Sequence, residues 1–207
     1  STTPTLVANA IDSEERNWSM IYWAGIDTCA HLYGPMSEEC QDEAYVADMM
    51  RGRLMEKIKV TQGYRDDTLL VLTADHGQVL NDETLSLQLN AHPELLSMLR
   101  IPPSGERRSL YLYPKKGEEA SVIHGAKSKG ARVLSREEAR AQGLYGRDGL
   151  DSTHLERIGE FIVLPPGTSQ WIYDPGNGQP VKFFKGAHGG LHADEMIIPC
   201  LLARLNS

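Results

Sequence analysis

The chain has 207 residues, 41% of them hydrophobic and 24% charged, and a formal net charge of −7. This is ordinary globular composition, and the length is enough for one large domain or a domain with a sizeable insert, so no disulfide or metal staple is needed to complete a core. Lys and Arg are scattered rather than clustered, which argues against a nucleic-acid duplex as partner, and no apolar run approaches the length of a membrane span.

Three cysteines (Cys29, Cys40 and Cys200) form an odd set without CxxC spacing and read as free thiols of a cytoplasmic protein. The opening "STTPTLVANAIDSEERN" has no basic stretch followed by an apolar one, so it does not read as a signal peptide. It does not begin with Met, so targeting information can lie upstream.

In chain order, the apolar run 20–24 (MIYWA) reads as a buried strand that stops at Gly25. Ser37 is a good N-cap for a long helix, with Glu38 and Glu39 at its positive end. Ala44, Ala47, Leu54 and Ile58 lie near helical spacing, Lys57 and Lys59 suit the C-terminal end, and Gly63 suits a C-cap. "RDD" turns into "TLLVLT" (68–73), a run typical of a parallel strand covered on both faces. Strand, helix and strand of these lengths predict a βαβ unit. Pro93 opens a short helix before Pro102 and Pro103.

From 104 to 180 the texture changes. "RRSLYLYP" alternates like a strand, and "EEASVIHGAKSKGARVL" predicts a small helix followed by a strand. Ser135 caps another short helix in "SREEARAQGLYG", and "EFIVLPPG" and "QWIYDPGNGQP" are strands with turns behind them. We expect residues 104–180 to form an inserted α+β cap on a core made of 1–103 and 181–207. The last stretch, "FFKGAHGGLHADEMIIPCLLARL", predicts a Gly-rich loop, a short helix or turn, and a final apolar strand.

Two strands thus end alike. The first is followed by Asp27 and His31, the second by Asp75, His76 and Gly77. Sites in parallel α/β sheets lie at the carboxyl ends of strands, so these four side chains can meet in one crevice. His188 in "GAHGGL" is the third element, with small neighbours that let backbone approach closely. Imidazole nitrogens and carboxylate oxygens together suit zinc or manganese. Two such ions form a clamp for in-line displacement at phosphorus. An Asp and a His four apart are common by chance. "DHG" at a strand end is more specific, and the three elements together point to metal. His92, His124, His154 and His192 read as surface or local hydrogen-bonding residues, with His192 as the reserve ligand. Trp171 and Tyr173 read as packing residues rather than a base-stacking pair, and Lys182 and Lys185 as solvated lysines.

"GIDTCAHLYGP", "LTADHG" and "HGGLHADEMIIPCLL" resemble the metal motifs of the alkaline phosphatase superfamily, closest to its type I phosphodiesterase/nucleotide pyrophosphatase branch. The resemblance implies an alkaline phosphatase-like α/β fold, a mostly parallel sheet flanked by helices. It also implies hydrolysis of phosphoesters with two divalent ions, usually zinc. By motif match, Asp27, His31 and His188 would hold one ion, and Asp75 and His76 the other. The substrate would be a small-molecule phosphoester or nucleotide. In the family a further Asp ligand and the nucleophilic Thr or Ser precede the first of these motifs, and "STTPTLVANAIDSEERN" does not resemble that segment. Thr28 sits in the wrong motif for the nucleophile. The chain is therefore expected to be the C-terminal portion of a longer enzyme, inactive without its N-terminal half. The alternatives are a phosphomutase or phosphonate hydrolase of the same superfamily, or a non-catalytic metal-binding module.

Overall fold

The computed structural model describes residues 18–62, 68–146, 152–155, 157–176 and 182–204. The chain divides into two compact units, Ser1–Asp75 with Ile198–Ser207, and His76–Ile197. The stretch 104–180, expected as an insert, lies inside the second unit together with its flanks. Strands are numbered β1–β10 in chain order.

In the first unit, residues 20–24 do not form the expected strand. They have no regular structure, and Met20 and Tyr22 are exposed. A strand needs a neighbour for its backbone hydrogen bonds, and no described strand pairs with this run. The chain instead enters the helix Gly25–Tyr33, which Gly34 ends at φ 105°, its N–H reaching the Ala30 carbonyl at 2.9 Å. Trp23 Nε1 donates to Glu43 Oε1 (2.8 Å), tying the entry of this helix to the next one. The long helix Glu38–Gln62 is the one expected, and Ser37 Oγ caps it by accepting from the Cys40 N–H at 3.2 Å. The expected C-cap Gly63 and the "RDD" turn lie outside the described residues.

Leu54 and Ile58, one helical turn apart, pack with Leu70 into a small core. Leu70 belongs to β1 (Leu69–Thr73), which pairs antiparallel with β10 (Cys200–Arg204) from Leu69↔Arg204 to Thr73↔Cys200. The expected parallel βαβ pairing is therefore not formed among the described residues. Nor is β1 covered on both faces. Leu69 and Val71, which alternate with Leu70, stay exposed, as does Leu202 across from Val71.

The second unit follows the sequence-based expectations closely. β4 (Ser104–Glu106), β5 (Ser109–Leu112), β6 (Arg132–Ser135) and β7 (Phe161–Leu164) form one antiparallel sheet in the order β4-β5-β7-β6. Its strands alternate between two apolar clusters, one on each face. Leu110, Leu112 and Val163 join Val122 and Ala126 of the helix Glu119–Ser128, with Leu89, Leu95 and Trp171. Ile162 and Leu164 join Leu134, Ile158 and Ala139 of the helix Arg136–Ala141. That second helix starts with a full capping box between Ser135 and Glu138. Trp171 is 2% exposed and packs within the larger cluster.

Three short elements complete this unit. β3 (Leu87–Gln88) runs parallel to β8 (Trp171–Ile172), the one parallel ladder among the described residues. β2 (Val79–Leu80) pairs antiparallel with β9 (Gly186–Ala187), and the short helix Ala193–Met196 follows. The class is α/β as expected, with the described ladders mainly antiparallel.

Leu112→Ala, at a fully enclosed position, is expected to cost about 2–5 kcal/mol in chemical denaturation. Ser135→Ala, which removes one half of the capping box, is expected to cost about 1 kcal/mol in the same assay.

Candidate metal centre

The first unit supplies Asp27, His31 and Asp75. Asp27 and His31 were expected beyond the end of a strand. They lie instead one helical turn apart on the helix Gly25–Tyr33, with His31 Nε2 3.4 Å from Asp27 Oδ1. A spacing of four puts both side chains on one helix face. The ends also suit them, the carboxylate in the first turn and the imidazole in the last. Thr28, between them, turns its hydroxyl back to donate to the Ala24 carbonyl at 3.0 Å. Asp75 follows β1 as expected. The end of that strand is held by Thr73 Oγ1, which donates to the Pro199 carbonyl (2.9 Å) just before β10.

The second unit supplies His76 and His188. Their rings stack at 3.6 Å between centroids, 12° from parallel. The β2–β9 ladder explains the meeting. It pairs Val79 with Ala187, so His188 leaves β9 at the same end at which His76 approaches β2. His76 Nδ1 lies 3.0 Å from the Gly77 carbonyl oxygen. If Nδ1 carries the proton, that contact leaves Nε2 as the lone-pair nitrogen.

Two residues that the sequence reading did not single out hold these turns. Glu195 accepts the Gly77 N–H through its backbone carbonyl (2.9 Å) and the Gly190 N–H through its side-chain Oε2 (2.7 Å). Its Oε1 also accepts from the His192 N–H at 3.3 Å. Arg108 meets the same carboxylate with Nε and Nη2, at 2.8 and 2.5 Å, and both side chains are almost wholly buried. Burial alone would push the Glu195 carboxyl up, but the hydrogen bonds from Arg108 and Gly190 outweigh it and hold the group below the ordinary carboxylate value. Glu195 had a weak signal, an acidic residue in the first turn of a helix after "HGG". Arg108 had none, because nothing local marks a hairpin-turn arginine as buried.

The glycines of both motifs are needed for space. A Cβ on Gly77 would collide with the Asp194 carbonyl oxygen, and one on Gly190 would lie 2.9 Å from Glu195 Oε1 and 3.0 Å from Arg108 Nη2. Gly189 adopts φ 100°, a left-handed conformation that favours glycine. His192, the reserve ligand, is exposed at the N-cap of Ala193–Met196, where its Nδ1 accepts from the Asp194 N–H at 3.3 Å. Lys185 lies 3.5 Å from Glu83 on the surface.

Gly77→Ala is expected to destabilise the fold by about 1–3 kcal/mol, the usual range for overpacking. Gly52→Ala, in a helix with open space around the added methyl, is expected to stabilise it by about 0.5–1 kcal/mol. Thermal or urea unfolding of both variants checks the contrast. Because folding lowers the affinity of Glu195 for its proton, its contribution is complete above the ordinary value of 4.5 and is lost as pH falls below it. A pH series of unfolding midpoints is expected to show a shallower acid limb in Glu195→Gln.

The sequence matches the type I phosphodiesterase / nucleotide pyrophosphatase family over residues 2–191. No curated protein sequence matches the chain. Among solved structures it is similar to murine ectonucleotide pyrophosphatase / phosphodiesterase 5 in complex with AMP, at TM-score 0.74 and 17% identity over 96% of this chain and 50% of that one. The human protein of the same name gives TM-score 0.70 and 19% identity, with the same shares covered. Phosphonoacetate hydrolase from Sinorhizobium meliloti, in complex with phosphonoformate, gives TM-score 0.57 and 18% identity over 85% of this chain and 43% of that one. The chain thus spans about half the length of the solved structures it matches. The family match covers well over half of the chain, and the fold is shared with these alkaline phosphatase-like structures; the chain therefore belongs to the type I phosphodiesterase / nucleotide pyrophosphatase family.

Proposed function

We propose that this chain is the metal-binding part of a phosphodiesterase or nucleotide pyrophosphatase and is inactive without further sequence. Asp27, His31 and His188 hold one divalent ion, and Asp75 and His76 take part in holding a second. The ions are zinc, with manganese as the alternative. The observation that carries the reading is the His76–His188 ring stack, which brings two of the motif imidazoles together on turns built for them. The donor set also fits, since imidazole nitrogen and carboxylate oxygen are the ligands a borderline ion such as zinc takes. Bound there, such ions would supply charge stabilisation for in-line displacement at phosphorus.

This chain's own residues bind and orient. His31 and Asp27 are preset on one helix face, and the His76 and His188 rings are set by the turns around Gly77 and Gly190. The nucleophile comes from outside the 207 residues. Thr28 does not serve, because its hydroxyl is spent on a backbone carbonyl of its own helix. An N-terminal half of the same enzyme also covers the apolar surface of β1 and β10, where Leu202 is 65% exposed. The region 104–180 acts as a cap that shapes the pocket for a small phosphoester or nucleotide.

Calorimetric titration of the chain with zinc, run beside His188→Ala, tests the reading. One tight site, weakened on the order of 100-fold or more in the variant, is the expected result; loss of an outer-shell partner alone costs about 10–100-fold. No binding of zinc or manganese, or equal binding by the variant, overturns the ligand set. With the set established, a longer protein that includes the preceding segment is expected to hydrolyse phosphodiesters. Preference for a phosphonate over a phosphodiester would move the assignment to phosphonate hydrolase. Metal binding without turnover of either would mark a binding module.

A further inference from the structure

We infer that the buried Arg108–Glu195 pair is a positioning device that sets the relative placement of the His76 and His188 rings. The pair sits at a junction of four chain segments. Arg108 belongs to the two-residue turn between β4 and β5, where side chains ordinarily face water, yet it is only 3% exposed. Its guanidinium reaches two ways. Nε and Nη2 grip the Glu195 carboxylate, while Nη1 donates to the Ser169 carbonyl (2.7 Å) and Nη2 to that of Gly167 (3.1 Å). The turn is anchored beside it as well. The Arg107 carbonyl accepts from the Trp171 N–H (2.8 Å), and the Arg107 guanidinium lies 4.0 Å over the Phe184 ring.

From this fixed base Glu195 reaches both histidine turns. Its carboxylate holds the Gly190 N–H, two residues after His188, and its backbone carbonyl holds the Gly77 N–H, one residue after His76. One residue therefore registers both turns against the same anchor. The choice of residues also points away from a purely stabilising role. A buried ion pair gains little over a well-packed apolar pair, because desolvation offsets the attraction. What the arginine fork adds is direction, with donors aimed in a fixed plane at a carboxylate and two carbonyls. A lysine can supply the charge but not the fork.

The ring placement is tested without metal, and the consequence for binding, which rests on the proposed metal centre, is tested separately. The variants are Glu195→Gln and Arg108→Lys in the full 207-residue chain, with Ile162→Val as a control that disturbs the same unit's core away from these turns. In metal-free protein, histidine ring signals are followed by NMR. Stacked rings shield one another, so both folded variants are expected to shift the His76 and His188 ring protons downfield, while Ile162→Val leaves them in place. Zinc affinity is expected to fall about 10–100-fold in the variants, as for other residues that orient ligands from the outer shell, and to stay unchanged in the control. Unmoved ring signals in a folded Glu195→Gln or Arg108→Lys overturn the inference whatever zinc does. Failure of both variants to fold also overturns it, and assigns the pair to stability. If the ring signals move but His188→Ala leaves zinc binding intact, the positioning role stands and the metal reading falls.

Discussion

A buried charge must be matched, and in this protein that requirement is met at Arg108 and Glu195. The guanidinium makes four hydrogen bonds, two to the carboxylate and two to loop carbonyls, and the carboxylate takes two backbone N–H groups in addition. Removing either partner would leave the other ionised and enclosed, which is far more costly than never having the pair. So the hairpin turn, the Gly167–Ser169 loop, the Gly190 turn and the Gly77 turn are constrained together. The two motif histidines hang from the last two of these.

The geometry of the glycines follows from the same constraint. Gly190 lies against both members of the pair, and Gly77 lies against the backbone of Asp194 and Glu195. Neither position has room for a side chain. The small residues around "ADHG" and "AHGG" are thus the means by which backbone N–H groups reach one carboxylate and one carbonyl closely enough to bond.

The two units differ in how completely they bury their apolar residues. In His76–Ile197 the four-stranded sheet is covered on both faces, and its larger cluster reaches full burial at Leu89, Val122, Ala126 and Val163. In the first unit the buried apolar residues described are Ala30, Cys40, Leu54 and Ile58, with Leu70 packed beside the last two, while Leu69, Val71, Leu201 and Leu202 are exposed on a two-stranded sheet. Surface of this kind is usually covered in a working protein. The matched ectonucleotide pyrophosphatase / phosphodiesterase 5 structures are about twice as long as this chain, which fits the proposal that more of the same enzyme packs there.

Local signals carried much of the reading. Ser37 and Ser135 cap the helices they were expected to cap, because a side-chain oxygen before a run of helix formers satisfies orphan N–H groups wherever it occurs. The alternation in "SLYL" survives as alternating burial, since period two is the geometry of a strand. The motifs were enough to find the family. Strand pairing was not legible in the same way. "MIYWA" has the composition of a strand, but a strand exists only with a neighbour, and the helix that follows it takes Asp27 and His31 instead. "TLLVLT" is a strand whose antiparallel partner lies well over 100 residues away, and no local pattern states direction. Arg108 and Glu195 were invisible for the same reason. Their meaning is a contact across 87 residues of chain, and only the folded backbone decides which buried charges find each other.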